Sequence, residues 1–146
     1  KKPPRVSAGT FAESMQGAKY GNGISVNEVW AKNPAKFKTE LKRNVAIKFH
    51  PVGCDTVKSI VDHEMGHQID GLLKLRTDPE FAVIFQRAKA AADIEDHLSR
   101  YAAKSHAEFI AEAWAEYQNN PAPRKYACEV VALIKKKYLQ LAGKVI

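Results

Sequence analysis

The sequence predicts a mainly helical α+β domain with a small sheet. Apolar residues recur at helical spacing in several segments, and proline or a capping residue stands at the start of most of them. Only one short segment, residues 24–26, reads as a strand. With 146 residues and 45% hydrophobic content, the chain is long enough for one domain with a real core and too short for two. We therefore expect residues 1–146 to form a single domain.

The first part of the chain carries few structural signals. A mobile N-terminal stretch is predicted by three glycines, Gly17, Gly21 and Gly23. The exposed edge of segment 23–29 is a candidate for binding an extended peptide as an added strand. The basic, proline-containing start without Met, residues 1–5, is expected of a fragment of a longer chain.

Five helices are predicted after the strand. The first covers 34–46, with Pro34 in its first turn. Asp55 or Thr56 caps the second, whose apolar stripe is Val57, Ile60, Val61, Ile69, Leu72 and Leu73. The third begins at Asp78-Pro79 and runs to about residue 91. The fourth begins at Ser105 and ends at 119–121, and the last follows Pro123 with the core face Val130, Val131, Leu133 and Ile134.

The second of these helices carries the run His63-Glu64-Met65-Gly66-His67, an HExxH motif. Residues four apart project from one side of a helix, so His63 and His67 can present two imidazoles to one metal ion. Glu64 can reach a water on that metal without binding the metal, as the general base of a zinc metallopeptidase does. Gly66 costs about 1 kcal/mol of helix propensity relative to Ala. We therefore expect tight packing of this helix against another segment.

A catalytic zinc ion needs a third protein ligand and leaves its fourth position to water. The metzincin pattern HExxHxxGxxH is excluded, because Asp70 and Leu73 stand where its Gly and third His would be. Glu108 and Glu112 share one face of the helix that begins at Ser105, so this carboxylate pair can point at the metal. The pair Ser105 and Glu108 also reads as a capping box, which is the alternative role for Glu108.

These residues carry a family resemblance. The HExxH helix, Tyr101 seven residues before Glu108, and the run Glu108-Phe109-Ile110-Ala111-Glu112-Ala113-Trp114 resemble the peptidase domain of anthrax lethal factor and its relatives. With the segments 23–27, 49–51 and 120–121, nearly the whole chain is similar to the lethal-factor-like metallopeptidase domain of phage minor head proteins. The resemblance implies a zincin-like fold of the gluzincin type.

The resemblance also implies roles for individual residues. His63, His67 and Glu108 would bind one zinc ion, and Glu64 would be the base. Tyr101 would donate its hydroxyl to the oxyanion, a charge that must be stabilised as the carbonyl becomes tetrahedral. Two further residues, Glu112 and Asp70, would hold the ligands in place.

The other three histidines are weaker candidates for metal ligands. His106 stands where lethal factor has an acidic residue and is a rival to Glu108, but two positions along a helix is about 200° of rotation, so both cannot face the metal. His50 precedes Pro51 in a loop, and His97 lies in a polar stretch. For both, a solvated or locally hydrogen-bonded histidine is expected.

Composition limits the remaining possibilities. The net charge of +7 comes from scattered lysines and arginines, which we interpret as solvated helix surfaces; without a nucleic-acid motif, nucleic-acid binding is not expected. No apolar run approaches the roughly 20 residues of a membrane span, and no signal peptide is seen. Two cysteines, Cys54 and Cys128, predict no disulfide framework and a reducing compartment.

The sequence therefore predicts a zinc-dependent endopeptidase that acts on a protein or peptide bound in extended form. The resemblance places it in the host cytoplasm or the virion, with other phage head proteins as possible partners. The alternative is a zinc-binding structural or interaction domain of a virion head protein without turnover, and a secreted toxin protease is a third option. Glu64 and Tyr101 favour catalysis, because a purely structural zinc site needs neither.

Overall fold

The computed structural model describes residues 10–15 and 23–145, so the basic start and the predicted mobile glycines Gly17 and Gly21 lie outside the described residues. Within these ranges the chain forms a two-stranded sheet and seven α-helices. The strands are β1 (Ala12–Met15) and β2 (Gly23–Val26). The helices are α1 (Glu28–Ala31), α2 (Pro34–Ala46), α3 (Val57–Leu73), α4 (Pro79–Ala91), α5 (Ile94–His97), α6 (His106–Asn119) and α7 (Lys125–Val145). Short 3₁₀ helices cover Leu75–Thr77 and Tyr101–Lys104. The predicted mainly helical α+β architecture is confirmed.

The sheet differs from the prediction in one strand. The predicted strand at 24–26 is present as β2, but its antiparallel partner β1 lies in the stretch for which the sequence predicted no strand, with Ala12 opposite Val26 and Met15 opposite Gly23. The sequence of β1, Ala-Glu-Ser-Met, has no clear apolar alternation. Its position is fixed by polar contacts instead, since the side-chain amide of Gln68 on α3 donates to Ser14 Oγ at 2.6 Å and to the Met15 carbonyl at 2.8 Å.

Helix α3 begins where its cap was expected. Thr56 Oγ1 accepts from the Ser59 backbone N–H at 3.1 Å, and Ser59 Oγ accepts from the Thr56 N–H at 3.2 Å. These two reciprocal bonds satisfy two of the N–H groups that a helix start leaves free. Thr56 is therefore the cap rather than Asp55.

The inward face of α3 was predicted only in part. Ile60 is buried, and Ile69 and Leu73 pack against the apolar core. Several residues of the expected apolar stripe are exposed, with Val57 at 55% and Leu72 at 64% of full accessibility. The buried positions of α3 are Ser59, Ile60, His63, Glu64, Gly66 and Asp70. The reason is that α3 packs a largely polar face against α6, where charged partners compensate for the loss of water.

Gly66 is the point of closest approach between α3 and α6. A Cβ atom added at Gly66 would lie 2.7 Å from Ala111 Cα, a contact that real Cβ atoms do not make. The two helix backbones can therefore meet only because position 66 has no side chain. The tight packing expected from this glycine is confirmed.

The apolar core lies on the other side of α6. Phe81 and Phe85 on α4 pack against Phe109 and Ile110 on α6, and the α7 residues Val130, Leu133 and Ile134 close the cluster. Val131 is also buried, so the predicted core face of α7 is confirmed. A smaller cluster joins Phe37 and Leu41 of α2 to Ile60 of α3, with Phe11 and Trp30 packed on it.

Two further observations bear on the composition. None of the helices in the described ranges is both long and apolar enough to cross a membrane. Cys54 and Cys128 are both free thiols, and only Cys54 is buried.

Replacing Gly66 by Ala is expected to lower the free energy of unfolding by about 1–3 kcal/mol, because the added methyl group overpacks the α3–α6 contact. The matched control is Gly143→Ala in α7, where an added Cβ meets no atom within 4 Å. The control should gain up to about 1 kcal/mol from the better helix propensity of Ala. Urea denaturation followed by circular dichroism measures both, and a Gly66→Ala protein as stable as the parent would contradict the packing.

Candidate metal centre

Three side chains from α3 and α6 converge on one point. His63 Nε2 lies 3.1 Å from Glu108 Oε2, and His67 Nε2 lies 3.3 Å from Glu108 Oε1. The ring centroids of the two histidines are 4.9 Å apart. One ligand atom from each of the three residues lies within 4.8 Å of the others. His63, His67 and Glu108 could therefore hold a single metal ion.

The state of the Glu108 carboxylate fits such an ion. Its Oε2 atom is buried and has no hydrogen-bond partner, because its contact with His63 does not have hydrogen-bond geometry. Burial raises the pKa of Glu108, but His63 and His67 outweigh this effect and hold that pKa well below its usual range. An ionised carboxylate whose two oxygens each face an imidazole nitrogen supplies donors that suit a divalent cation.

His63 carries a proton readily in this setting. Burial lowers its pKa, but the carboxylates of Glu108 and Glu112 outweigh burial and raise the pKa to about 10. The cluster thus attracts positive charge at the position where a metal ion would sit. A bound metal ion would take the place of that proton, since a ligating imidazole must be neutral.

The position of the Glu108 side chain distinguishes between its two predicted roles, metal ligand and partner of Ser105 in a capping box. Ser105 does cap α6, since its hydroxyl oxygen accepts from the Glu108 backbone N–H at 3.2 Å. The Glu108 carboxylate, however, faces the two histidines. Only the backbone of Glu108 therefore takes part in the cap.

Glu64, the predicted base, is buried beside the cluster and lines the same cavity as His63 and Tyr101. Burial raises its pKa, a rise that the neighbouring imidazoles and the backbone of Ser14 on β1 oppose. A raised pKa makes the carboxylate a stronger proton acceptor near neutral pH. Glu64 lies beside the metal-binding group without belonging to it.

Tyr101 lies at the first position of its 3₁₀ helix, half-buried against the cluster. Its ring centroid is 6.0 Å from that of His63 and 5.3 Å from that of Phe49. Burial, followed by the charges of Glu108 and Glu112, raises the pKa of Tyr101 above its ordinary value. The hydroxyl therefore stays protonated and is available as a donor.

Glu112 lies behind His63. Its Oε1 atom is 2.7 Å from His63 Nδ1, an ion-pair contact outside hydrogen-bond angles. Its carboxylate also accepts from Ser99 Oγ at 2.8 Å and lies 3.2 Å from His50 Nδ1. Because Nδ1 of His63 is turned toward Glu112, Nε2 is the nitrogen that faces His67 and Glu108.

Asp70 makes its contacts away from the cluster. Its buried carboxylate accepts from the Arg76 backbone N–H and Nε, both at 2.8 Å. These bonds hold the turn between α3 and α4, while the Arg76 carbonyl lies 3.0 Å from His106 Nδ1. The ring of His106 packs on Phe85, with centroids 4.3 Å apart. His106 is therefore directed away from the metal centre.

Of the other two histidines, His97 has the local contacts expected for it and His50 does not. His97 lies 3.8 Å from Asp93 on its own helical turn, which agrees with the local role expected for it. The expectation for His50 was wrong, because this residue contacts Glu112, 62 positions away, and lines the cavity. The sequence signal was only the segment Phe49-His50-Pro51, which carried no role of its own.

The cavity beside the cluster has a volume of about 510 Å³. His63, Glu64 and Tyr101 lie on its wall together with Phe49, His50 and Glu112. Thr10, Phe11, Ala12 and Trp30 also line it. Among the described residues, segment 10–12 lines the cavity, and the cavity lining includes no residue of the predicted edge 23–29.

Comparison with family models, curated proteins and solved structures found no match to this chain. The chemistry of the site is therefore inferred from its geometry and its sequence motifs.

Glu108→Ala is expected to weaken zinc binding sharply, because it removes one of three ligands, whereas His106→Ala should leave the affinity nearly unchanged. Isothermal titration calorimetry with zinc measures both, with thermal melts to show that the fold is retained. Equal losses from the two variants, or a loss from His106→Ala alone, would contradict the ligand assignment.

Proposed function

We propose that this chain is a zinc-dependent metalloendopeptidase domain with a zincin-like fold of the lethal-factor-like group. The observation that carries the proposal is the convergence of His63, His67 and Glu108 at one point, beside a cavity that His63 lines together with Glu64 and Tyr101. Two imidazoles and one carboxylate, with a position left open, form a ligand set typical of catalytic zinc.

Zinc held by these three residues would polarise the substrate carbonyl and lower the pKa of a coordinated water toward about 7. Glu64 would accept the proton of the attacking water and deliver it to the leaving amine. The Tyr101 hydroxyl would donate to the carbonyl oxygen as negative charge develops there. Glu112 would keep His63 oriented, since its carboxylate lies against Nδ1.

The substrate is proposed to be a protein or peptide bound in extended form. Thr10, Phe11 and Ala12 line the cavity, and Ala12 is the first residue of β1 in the two-stranded sheet. An extended peptide could pair with this segment by backbone hydrogen bonds. Phe11, Trp30 and Ile60 would offer apolar contacts to its side chains.

The alternative function is a zinc-binding structural or interaction domain of a virion head protein. The resemblance to domains of phage minor head proteins supports a phage origin for either function, with the host cytoplasm or virion as location and other head proteins as partners. Among the described residues, the metal-binding group has three members rather than four. An incomplete protein shell favours catalysis over a closed structural site.

Glu64→Gln should retain the fold and zinc but abolish peptide hydrolysis, because the geometry survives and the proton acceptor does not. Digestion of a peptide library, read by mass spectrometry, measures turnover, and metal analysis measures zinc content. Glu129→Gln is the matched control, since this carboxylate pairs with Arg87 on the surface of α4 and α7. Substantial turnover by Glu64→Gln would exclude Glu64 as the base.

Tyr101→Phe should lower kcat and kcat/KM together by on the order of 10²-fold. The reason is that its hydroxyl would donate to the substrate carbonyl oxygen, which becomes negatively charged only in the transition state. Zinc content should not change. Steady-state kinetics on a peptide from the library digest measures the effect, with Tyr117→Phe on the outer part of α6 as control. A Tyr101→Phe protein as active as the parent would remove Tyr101 from the mechanism, and a zinc-loaded parent without any activity would favour the structural alternative.

A further inference from the structure

Besides the proposed zinc ligand His63, the Glu112 carboxylate contacts two further side chains. His50 Nδ1 lies 3.2 Å from each of its two oxygens, and Ser99 Oγ donates to Oε2 at 2.8 Å. An ionised carboxylate only accepts, so the proton of these contacts is on His50 Nδ1. The Glu112 side chain is 1% exposed.

Ser99 connects this carboxylate to the turn that carries Tyr101. The same hydroxyl that donates to Glu112 accepts from the Ala102 backbone N–H at 3.1 Å. Ser99 is fully buried, and Ala102 follows Tyr101 directly in the 3₁₀ helix Tyr101–Lys104. A change in the position of Glu112 would therefore move the start of that helix.

His50 reaches the same turn by a second route. The loop before His50 pairs with the segment before the 3₁₀ helix, since Arg100 N donates to the Lys48 carbonyl at 2.7 Å and Tyr101 N to the Phe49 carbonyl at 3.2 Å. The rings of His50 and Tyr101 also meet edge to face, with centroids 5.7 Å apart. The imidazole is thus clamped between Glu112 and the tyrosine.

We propose that His50 and Ser99 are positioning residues that act through Glu112 to fix the Tyr101 hydroxyl relative to the ligand atoms of His63, His67 and Glu108. The inference rests on the proposed peptidase function for its kinetic consequence, but its structural consequence does not depend on turnover. Each of the two side chains donates to one carboxylate and contacts the tyrosine turn. Neither belongs to the ligand group, and neither was identified from the sequence.

The structural test compares crystal structures of the parent with those of His50→Gln, Ser99→Ala and His50→Asn. The Asn amide nitrogen takes the place of Nδ1 and keeps the donor to Glu112, whereas the Gln amide takes the place of Nε2. We expect the Tyr101 hydroxyl to move away from the Glu108 carboxylate by about 1 Å in His50→Gln and Ser99→Ala, and to stay in place in His50→Asn. A hydroxyl that stays in place in all three variants would overturn the proposal.

The kinetic test is a double-mutant cycle with Tyr101→Phe. His50→Gln should lower kcat about 10-fold or more with KM changed less than about twofold, since a displacement of 1 Å can cost about 10²-fold in rate. In the Tyr101→Phe background the same change should cost less than about twofold, because the hydroxyl it positions is gone. His97→Gln is the control and should leave kcat unchanged.

Equal losses in both backgrounds, or a rise in KM with kcat unchanged, would show that His50 acts independently of Tyr101 and would overturn the proposal. A parent without activity would count against the peptidase function alone, because the hydroxyl displacement is still read from the crystal structures. The two failures are therefore distinguishable.

Discussion

The close approach of α3 and α6 at Gly66 and Ala111 is the constraint on which the rest of the site depends. His63 and His67 lie on either side of Gly66 on one helix, and Glu108 and Glu112 lie on either side of Ala111 on the other. Since a Cβ at Gly66 would lie 2.7 Å from Ala111 Cα, only a glycine lets the backbones meet at this distance. On each helix, the side chains three residues before and one residue after the contact then lie on the face turned toward the other helix. The convergence of His63, His67 and Glu108 is a consequence of this crossing.

A crossing that buries so many charged groups is stable only if each group has a partner. His63 faces Glu108 on one side and Glu112 on the other, and Glu112 is shared with His50 and Ser99. A buried charge without a partner would cost several kcal/mol, whereas paired groups recover much of that loss. The same pairing fixes which nitrogen of His63 faces the metal position. Stability and site geometry therefore come from one network.

The sequence predicted most of the helices and the main members of the site, because those signals are local. HExxH spacing, the proline at the start of α2 and the cap at Ser105 each act within one helical turn. The buried face of α3 was predicted only in part, since polar pairing with α6 buries His63, Glu64 and Asp70, while Val57 and Leu72 of the apolar stripe are exposed. β1 and His50 were missed for a related reason: their positions depend on Gln68 and Glu112, which are distant in the sequence.

The central claim is that α3 and α6 present three protein ligands to one metal ion and leave a position open. Anomalous diffraction at the zinc absorption edge, from crystals of the zinc-loaded protein, tests it most directly. The account predicts a single peak about 2.0–2.2 Å from His63 Nε2, His67 Nε2 and a Glu108 oxygen, with no fourth protein ligand. A peak at another position, or a fourth protein side chain that completes the shell, would contradict it.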